Sequence, residues 1–353
     1  MPELFDITKW NPQLWYNTGG TRSKKYVQNP DNGKYYYFKR SYKTDGRDYF
    51  FEFWSEIVAT NIGTMLGFDV LKYDLAIDNL EMGCISESMI TQDETLTEGG
   101  KYLRAQEINF DPRVKDARKL HSFQLIVETL DAFYLSEHIG KIVEIIIFDS
   151  IIGNGDRHQE NWAFINKPSF AGIGLQAMED ETKKGTFDKA SRLLKNFLKS
   201  LIDFKKKEIK SEVKAAALLM EKTKSFAPIF DNGSSLGREL EVEKINRMLN
   251  NQQELMAYIN RGLSEIHWEN EKLNHFELIK RLLESSYMEV TKNIINRVVN
   301  LFNKNKGDMN DMIFSIDNSV PDNLHRYKLP DIRKELILKL ITLRIDKLAS
   351  VIV

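Results

Sequence analysis

The feature that most constrains this chain is an apolar run, Ile142 to Ile152, that passes directly into Gly153-Asn154-Gly155-Asp156-Arg157-His158-Gln159-Glu160-Asn161-Trp162. The run holds Glu144 and Asp149 and is far too short to span a bilayer, so it reads as a buried helix with a polar loop at its end. A short apolar strand follows. The loop places Asp156 five residues before Asn161. Phosphoryl transfer asks a loop for two things: an acceptor for a hydroxyl proton and, close by, a neutral oxygen ligand for a magnesium ion. An aspartate and an asparagine at this spacing supply both.

The 353 residues, 42% of them hydrophobic, suffice for a large core and for about two lobes. A net charge of -1 gives no overall polyanion-binding character. One cysteine, Cys84, excludes a disulfide framework within the chain, and a reducing cytoplasm is the default location. Met1 to Tyr16 carries Glu3, Asp6 and Lys9 and lacks a signal-peptide core. A soluble cytoplasmic protein is expected, with a secreted effector as the alternative.

Residues 17–90 read as strands plus one helix. Pro30-Asp31-Asn32-Gly33 is a hairpin turn, and Lys34 to Arg40 is an aromatic strand. Phe50, Phe53, Trp54, Ile57, Val58, Ile62 and Met65 recur at helical steps, with Gly67 as the stop. Val70–Ile77 and Gly83–Ile90 suit further strands. Beyond residue 115 the pattern is mainly helical: 120–130, 135–152, a lysine-rich stretch over 178–224, 278–302 and 331–353. The expected fold class is α+β: a strand-rich lobe over 1–90 and a helical lobe over 91–353.

Four further positions join the loop. Lys39 ends the aromatic strand after a glycine turn, where its ammonium can reach phosphate oxygens; alternation sends Arg40 to the other face. Glu56, among buried apolar residues, needs a cation, and Lys39 is the natural one; Glu52 is the rival. Gly19-Gly20-Thr21-Arg22-Ser23-Lys24 offers backbone and hydroxyl donors to phosphates, although such segments are more often ordinary turns. Asp231, after Ile229-Phe230 and before Asn232-Gly233, puts a carboxylate at a cleft mouth, suited to a hard divalent cation. His158 is expected to brace the loop, and Arg157 to pair with acids or a phosphate. Cys84 to Met89 is the expected connection between lobes.

Taken in order, these segments resemble the HipA-like serine/threonine kinases, in a compact form without the toxins' extra N-terminal subdomain. The carriers are Phe53-Trp54-Ser55-Glu56-Ile57-Val58-Ala59 with Met65-Leu66-Gly67, the Gly153–Trp162 loop, and Ala227-Pro228-Ile229-Phe230-Asp231-Asn232-Gly233-Ser234. The likeness spans about residues 17–240. It implies a bilobal protein kinase-like fold using ATP and Mg²⁺, with Asp156 as catalytic base and Asn161 and Asp231 as metal ligands. Lys39 would be the phosphate lysine and Glu56 its partner. Gly19, Gly20, Thr21 and Ser23 would contact nucleotide, together with Glu87 and Met89 of the connection. Thr21 and Ser23 would also be self-phosphorylation sites. The implied partners are a protein substrate with a Ser/Thr acceptor and an antitoxin-like regulator. Because the Asp-Arg-His-x-x-Asn order is shared with phosphatidylinositol kinases, a lipid kinase is the first alternative. A nucleotide-binding pseudokinase acting through partners is the second.

One departure is large. Asn161 and Asp231 are 70 residues apart where a short hairpin is expected, so about 166–225 is an insertion. Between Lys183 and Lys224 it carries 13 Lys+Arg against 5 Asp+Glu. Such a basic stretch can meet an acidic partner, a nucleic acid or a membrane surface, or simply leave its lysines in water.

Overall fold

The computed structural model describes residues 2–13, 24–44, 46–107, 109–111, 114–167 and 223–352. Its first strand, β1 (Leu4–Asp6), was not apparent from the sequence, being three residues with no alternation to detect. β2 (Asn11–Pro12), β3 (Lys24–Gln28) and β4 (Tyr35–Lys39) follow, then a minimal hairpin of β5 (Lys43–Thr44) and β6 (Arg47–Asp48). Helix α1 covers Glu52–Met65, and Gly67, at φ +77°, takes the left-handed turn that ends it. β7 (Asp74–Asp78) and β8 (Glu81–Glu87) complete a six-stranded sheet in the order β1-β7-β8-β4-β3-β2. Only β1 and β7 run parallel in it.

Two strand expectations shift. Val70 lies outside β7 and instead makes an isolated bridge with Ile229, and β8 ends at Glu87 rather than Ile90. Cys84 to Glu87 therefore belong to the sheet, and the connection to the second lobe begins at Ser88. The α1 face read from periodicity is buried, but so is most of the rest of the helix, including Ser55, Glu56 and Thr60. The reason is position: α1 packs on β8 and also on a helix of the second lobe, so both its sides are covered.

The second lobe opens with β9 (Thr95–Glu98), α2 (Gly99–Gln106), a 3₁₀ segment at Lys115–Leu120, and α3 (Phe123–Ala132). Ser122 Oγ caps α3 by accepting from the Leu125 N–H at 3.2 Å. Helix α4 (Ile139–Ile152) carries apolar residues on every side because it is enclosed: Ile142, Val143, Ile147, Phe148 and Ile151 have 0% exposure. β10 (Ala163–Lys167) pairs with β9 on one side and β11 (Thr223–Phe226) on the other in a three-stranded antiparallel sheet. Helices α5 (Val242–Asn250), α6 (Gln252–Arg261), α7 (His275–Leu283), α8 (Met288–Ser315) and α9 (Asp331–Val351) finish the fold. The single helix expected over 278–302 is thus two, α7 and α8, divided where Glu284–Tyr287 forms a turn.

The insertion is narrower than the sequence suggested. Lys167 is the cross-strand partner of Thr223, and Asn166 of Lys224. Residues 166, 167 and 223–225 are therefore strand rather than insertion or helix, and 168–222 lie outside the described residues. Lys167 and Thr223 thus face each other at one end of the β10–β11 hairpin. That hairpin connects the Asp156 loop, just before β10, to the Asp231 segment, just after β11.

Candidate active site

Strand pairing delivers Lys39 to the inner face of the first sheet, where it is 5% exposed. Its Nζ bonds Glu56 Oε1 from α1, and lies 2.6 Å from Asp231 Oδ1, a residue 192 positions away in sequence. Glu56 Oε2 also accepts the Asn232 N–H at 2.7 Å. One fully buried carboxylate thus holds both the lysine and the backbone of the Asp231 segment. Burying Glu56 is tolerable only because both its oxygens are engaged. The two rivals go elsewhere. Arg40 points away and pairs with Asp78 and Glu81, and Glu52 accepts from the Tyr42 N–H at 2.8 Å and from Arg238.

The Asp156 loop begins where Gly153, at φ +69°, ends α4. A side chain at Gly153 would meet the Arg344 guanidinium of α9, whose NH1 donates to Ser150 O at 3.0 Å. A cation on the last carbonyls of a helix satisfies orphaned acceptors and opposes the negative end of the helix dipole. Beyond the glycine, Asn154 Oδ1 accepts the Asp156 N–H at 3.2 Å, and Asn161 Nδ2 donates to Asp156 O at 2.6 Å. The second bond fixes which way the Asn161 amide faces and leaves its Oδ1 for a cation. The Asp156 carboxylate accepts from Ser234 Oγ at 3.1 Å. Asp231 adopts φ +56°, a left-handed backbone that aspartate tolerates and that is rare away from turns and functional sites.

Arg157 holds these pieces together. Its side chain is 1% exposed. Nε and NH2 grip Asp149 of α4 at 3.0 and 2.8 Å. NH1 donates to Asn161 O at 3.1 Å and to Phe230 O, and NH2 donates to Asn232 Oδ1 at 2.7 Å. One guanidinium therefore spans a core helix, the Asp156 loop and the Asp231 segment. Burial works against its charge, but the Asp149 carboxylate more than offsets this and its pKa stands above the usual value. The sequence reading gave the bracing role to His158 and left Arg157 for acids or a phosphate. The His158 ring does bond within the loop, Nδ1 accepting the Glu160 N–H at 3.3 Å, but the wider bracing falls to Arg157 through its acid partner Asp149.

Sequence reasoning missed Gly99 and Gly100 altogether. They open α2, and their N–H groups donate to Trp162 O and Gln159 O, both at 2.8 Å. The first amides of a helix, lacking partners of their own, are capped by the carbonyls of the Asp156 loop. A β-carbon on Gly99 would overlap the Trp162 indole. Trp162 Nε1 in turn donates to His121 Nε2 at 3.3 Å, while His121 Nδ1 bonds Glu265 O at 3.0 Å. Burial holds the His121 pKa down at about 3, consistent with a neutral ring serving as acceptor. The available signal was a glycine pair at a helix start, which has many bland explanations.

Lys39, Glu56, Asp156, Asn161 and Asp231 therefore occupy one continuous network, with Asn232, Ser234 and Arg157 as its links. Gly19, Gly20, Thr21 and Ser23 lie outside the described residues. Glu87 does not join the network through its side chain: it closes β8 and pairs with Lys34 at 2.8 Å. Met89 is half-buried in the connection between the sheets. Among the described residues no group of three His, Cys, Asp or Glu could form an all-protein metal centre. One carboxylate and one amide oxygen fit a magnesium ion well, since this ion keeps waters and takes phosphate oxygens as further ligands. Also among the described residues, no helix is long and apolar enough to cross a membrane.

A curled sheet with one helix, joined by a short connection to a helical lobe whose loops carry the polar network, is the bilobal kinase-like fold. Among solved structures, the chain is similar to the Helicobacter pylori proinflammatory kinase CtkA, at TM-score 0.69 and 18% identity, over 99% of this chain and 97% of that one. It also matches the Shewanella oneidensis MR-1 toxin HipA, solved with HipB and operator DNA, at TM-score 0.46 and 10% identity, over 98% of this chain and 66% of that one. No family model matches the sequence, and no curated protein does.

Proposed function

We propose that this protein transfers a phosphoryl group from ATP, bound with Mg²⁺, to a serine or threonine hydroxyl of a protein substrate. The observation that carries the reading is the convergence of Lys39, Glu56 and Asp231 on one another from three distant segments, with Asp156 and Asn161 tied to the same network. Buried ion pairs are costly to assemble, and this one leaves Asp231 at a side-chain exposure of 21%. The pair is therefore open to solvent on the Asp231 side rather than sealed in the core.

The residues divide the work. Lys39 would contact phosphate oxygens, with Glu56 fixing its direction. Asp231 Oδ and Asn161 Oδ1 would hold the cation, which when bound supplies charge neutralisation for the phosphates. Asp156 would orient the acceptor hydroxyl and take its proton. Positioning and charge, more than covalent chemistry, would supply the rate. The strand lysine, the helix glutamate and the two acidic segments are far apart in sequence, so their joining in one network is the strongest support for a shared reaction.

The test offers purified protein γ-labelled ATP and Mg²⁺ with a generic protein acceptor in one tube and phosphoinositide vesicles in another. Label on serine or threonine supports the proposal. Label only on lipid would replace it with a lipid kinase. Nucleotide binding without transfer to either would favour a pseudokinase.

A further inference from the structure

Ser234 belongs to the Asp231 segment, three residues beyond the carboxylate, yet its hydroxyl reaches across to the Asp156 loop. Its Oγ lies 3.1 Å from Asp156 Oδ2 and donates to it. The Asp156 backbone is already held on both sides, by Asn154 Oδ1 at its N–H and Asn161 Nδ2 at its carbonyl. Those bonds place the loop but leave the carboxylate free to turn about χ1 and χ2. Ser234 restrains that rotation, because a carboxylate oxygen engaged by a fixed donor commits the other oxygen to one direction. Ser234 is itself fixed from both sides: Asn232 is clamped by Glu56 and Arg157, and the neighbouring Ser235 Oγ donates to Asn232 O at 2.6 Å.

We infer that Ser234 is a positioning residue for the base, coupling the direction of the Asp156 carboxylate to the placement of the Asp231 carboxylate. This rests on the reading of Asp156 and Asp231 given above. The two acids lie on segments joined through the β10–β11 hairpin, and the serine spans the gap between them directly. It touches neither phosphate nor acceptor in this account; it acts through Asp156.

The coupling makes a specific demand on kinetics. Loss of the hydroxyl should misdirect the base without disturbing Lys39, Glu56 or Asp231, so turnover should fall while ATP binding persists. A base displaced by a fraction of an ångström costs roughly tenfold or more in rate.

The experiment compares wild type, Ser234→Ala, Ser234→Thr and Asp156→Asn, all with ATP, Mg²⁺ and the same acceptor. Each is also tested for ATP binding by calorimetry. The expected result is a kcat about tenfold lower for Ser234→Ala with KM for ATP changed by less than about twofold, and substantial recovery in Ser234→Thr, which keeps the hydroxyl. A kcat for Ser234→Ala equal to wild type, when Asp156→Asn is inactive, overturns this inference and leaves the phosphotransfer reading intact. A threonine variant as slow as the alanine variant, with normal ATP binding in both, also overturns it, since the hydroxyl would then not be the operative group. Absence of turnover in wild type overturns the phosphotransfer reading and this inference with it.

Discussion

At the scale of single residues, Arg157 is the structural keystone: it joins α4, the Asp156 loop and the Asp231 segment. Truncating one member of a buried ion pair leaves the other charge uncompensated, so Arg157→Ala should lower stability by about 3–5 kcal/mol, read from denaturant midpoints. Arg157→Lys should recover little of this, because a single ammonium cannot reach Asp149, Asn161 O, Phe230 O and Asn232 at once. An arginine variant of near-native stability would refute the role. Gly99→Ala should also destabilise, by about 1–3 kcal/mol, since the added methyl must displace the Trp162 indole or the start of α2. These two positions show what the sequence could and could not reveal. Lys39, Glu56, Asp156, Asn161 and Asp231 were legible because each is a chemically distinctive residue beside an apolar element. The pairing of Arg157 with an acid was legible too, but its reach to Phe230 O was not, nor were the roles of Gly99 and Ser234, because these depend on partners that are brought near only by the fold.

At the scale of elements, the starts of α3 and α7 bury histidines whose titration affects the stability of the fold in a definite direction. Burial depresses the pKa of His121, beside α3, and of His275, the first residue of α7, from 6.5 to about 3. A folded-state pKa below the unfolded value means that the unfolded chain binds more protons between those limits. Stability contributed by these neutral rings is therefore complete above pH 6.5 and is lost as pH falls toward 3. Each histidine contributes a slope of about 1.4 kcal/mol per pH unit within that window. Urea midpoints measured from pH 7.5 down to 5 should fall, and His275→Gln should flatten the slope; a slope unaffected by that substitution would remove His275 from the explanation. Element existence was largely readable: α1, α4 and α9 declared themselves through periodicity or unbroken apolar runs. Boundaries failed for physical reasons. The turn at Glu284–Tyr287 has no proline or glycine to mark it, and β1 is too short for a period.

At the scale of the whole molecule, the hairpin β10–β11 shows where the fold tolerates interruption. Because Lys167 and Thr223 are direct cross-strand partners, replacing residues 168–222 with a short Asn-Gly turn should leave the two-lobed fold and its ATP affinity intact. Circular dichroism and calorimetry on that variant would check it, and a protein that fails to fold would show that the fold depends on the replaced segment. Any change of acceptor preference in a folded variant would assign that segment to substrate or partner recognition. One network, built from four segments distant in sequence, is proposed to perform phosphoryl transfer. This proposal is tested most directly by single-turnover transfer from γ-labelled ATP with Mg²⁺ in wild type, Lys39→Met, Asp156→Asn and Asp231→Asn, each first shown to be folded. The account predicts transfer in wild type and a loss of roughly a hundredfold or more in all three variants. Undiminished transfer in Asp156→Asn or Asp231→Asn would contradict it.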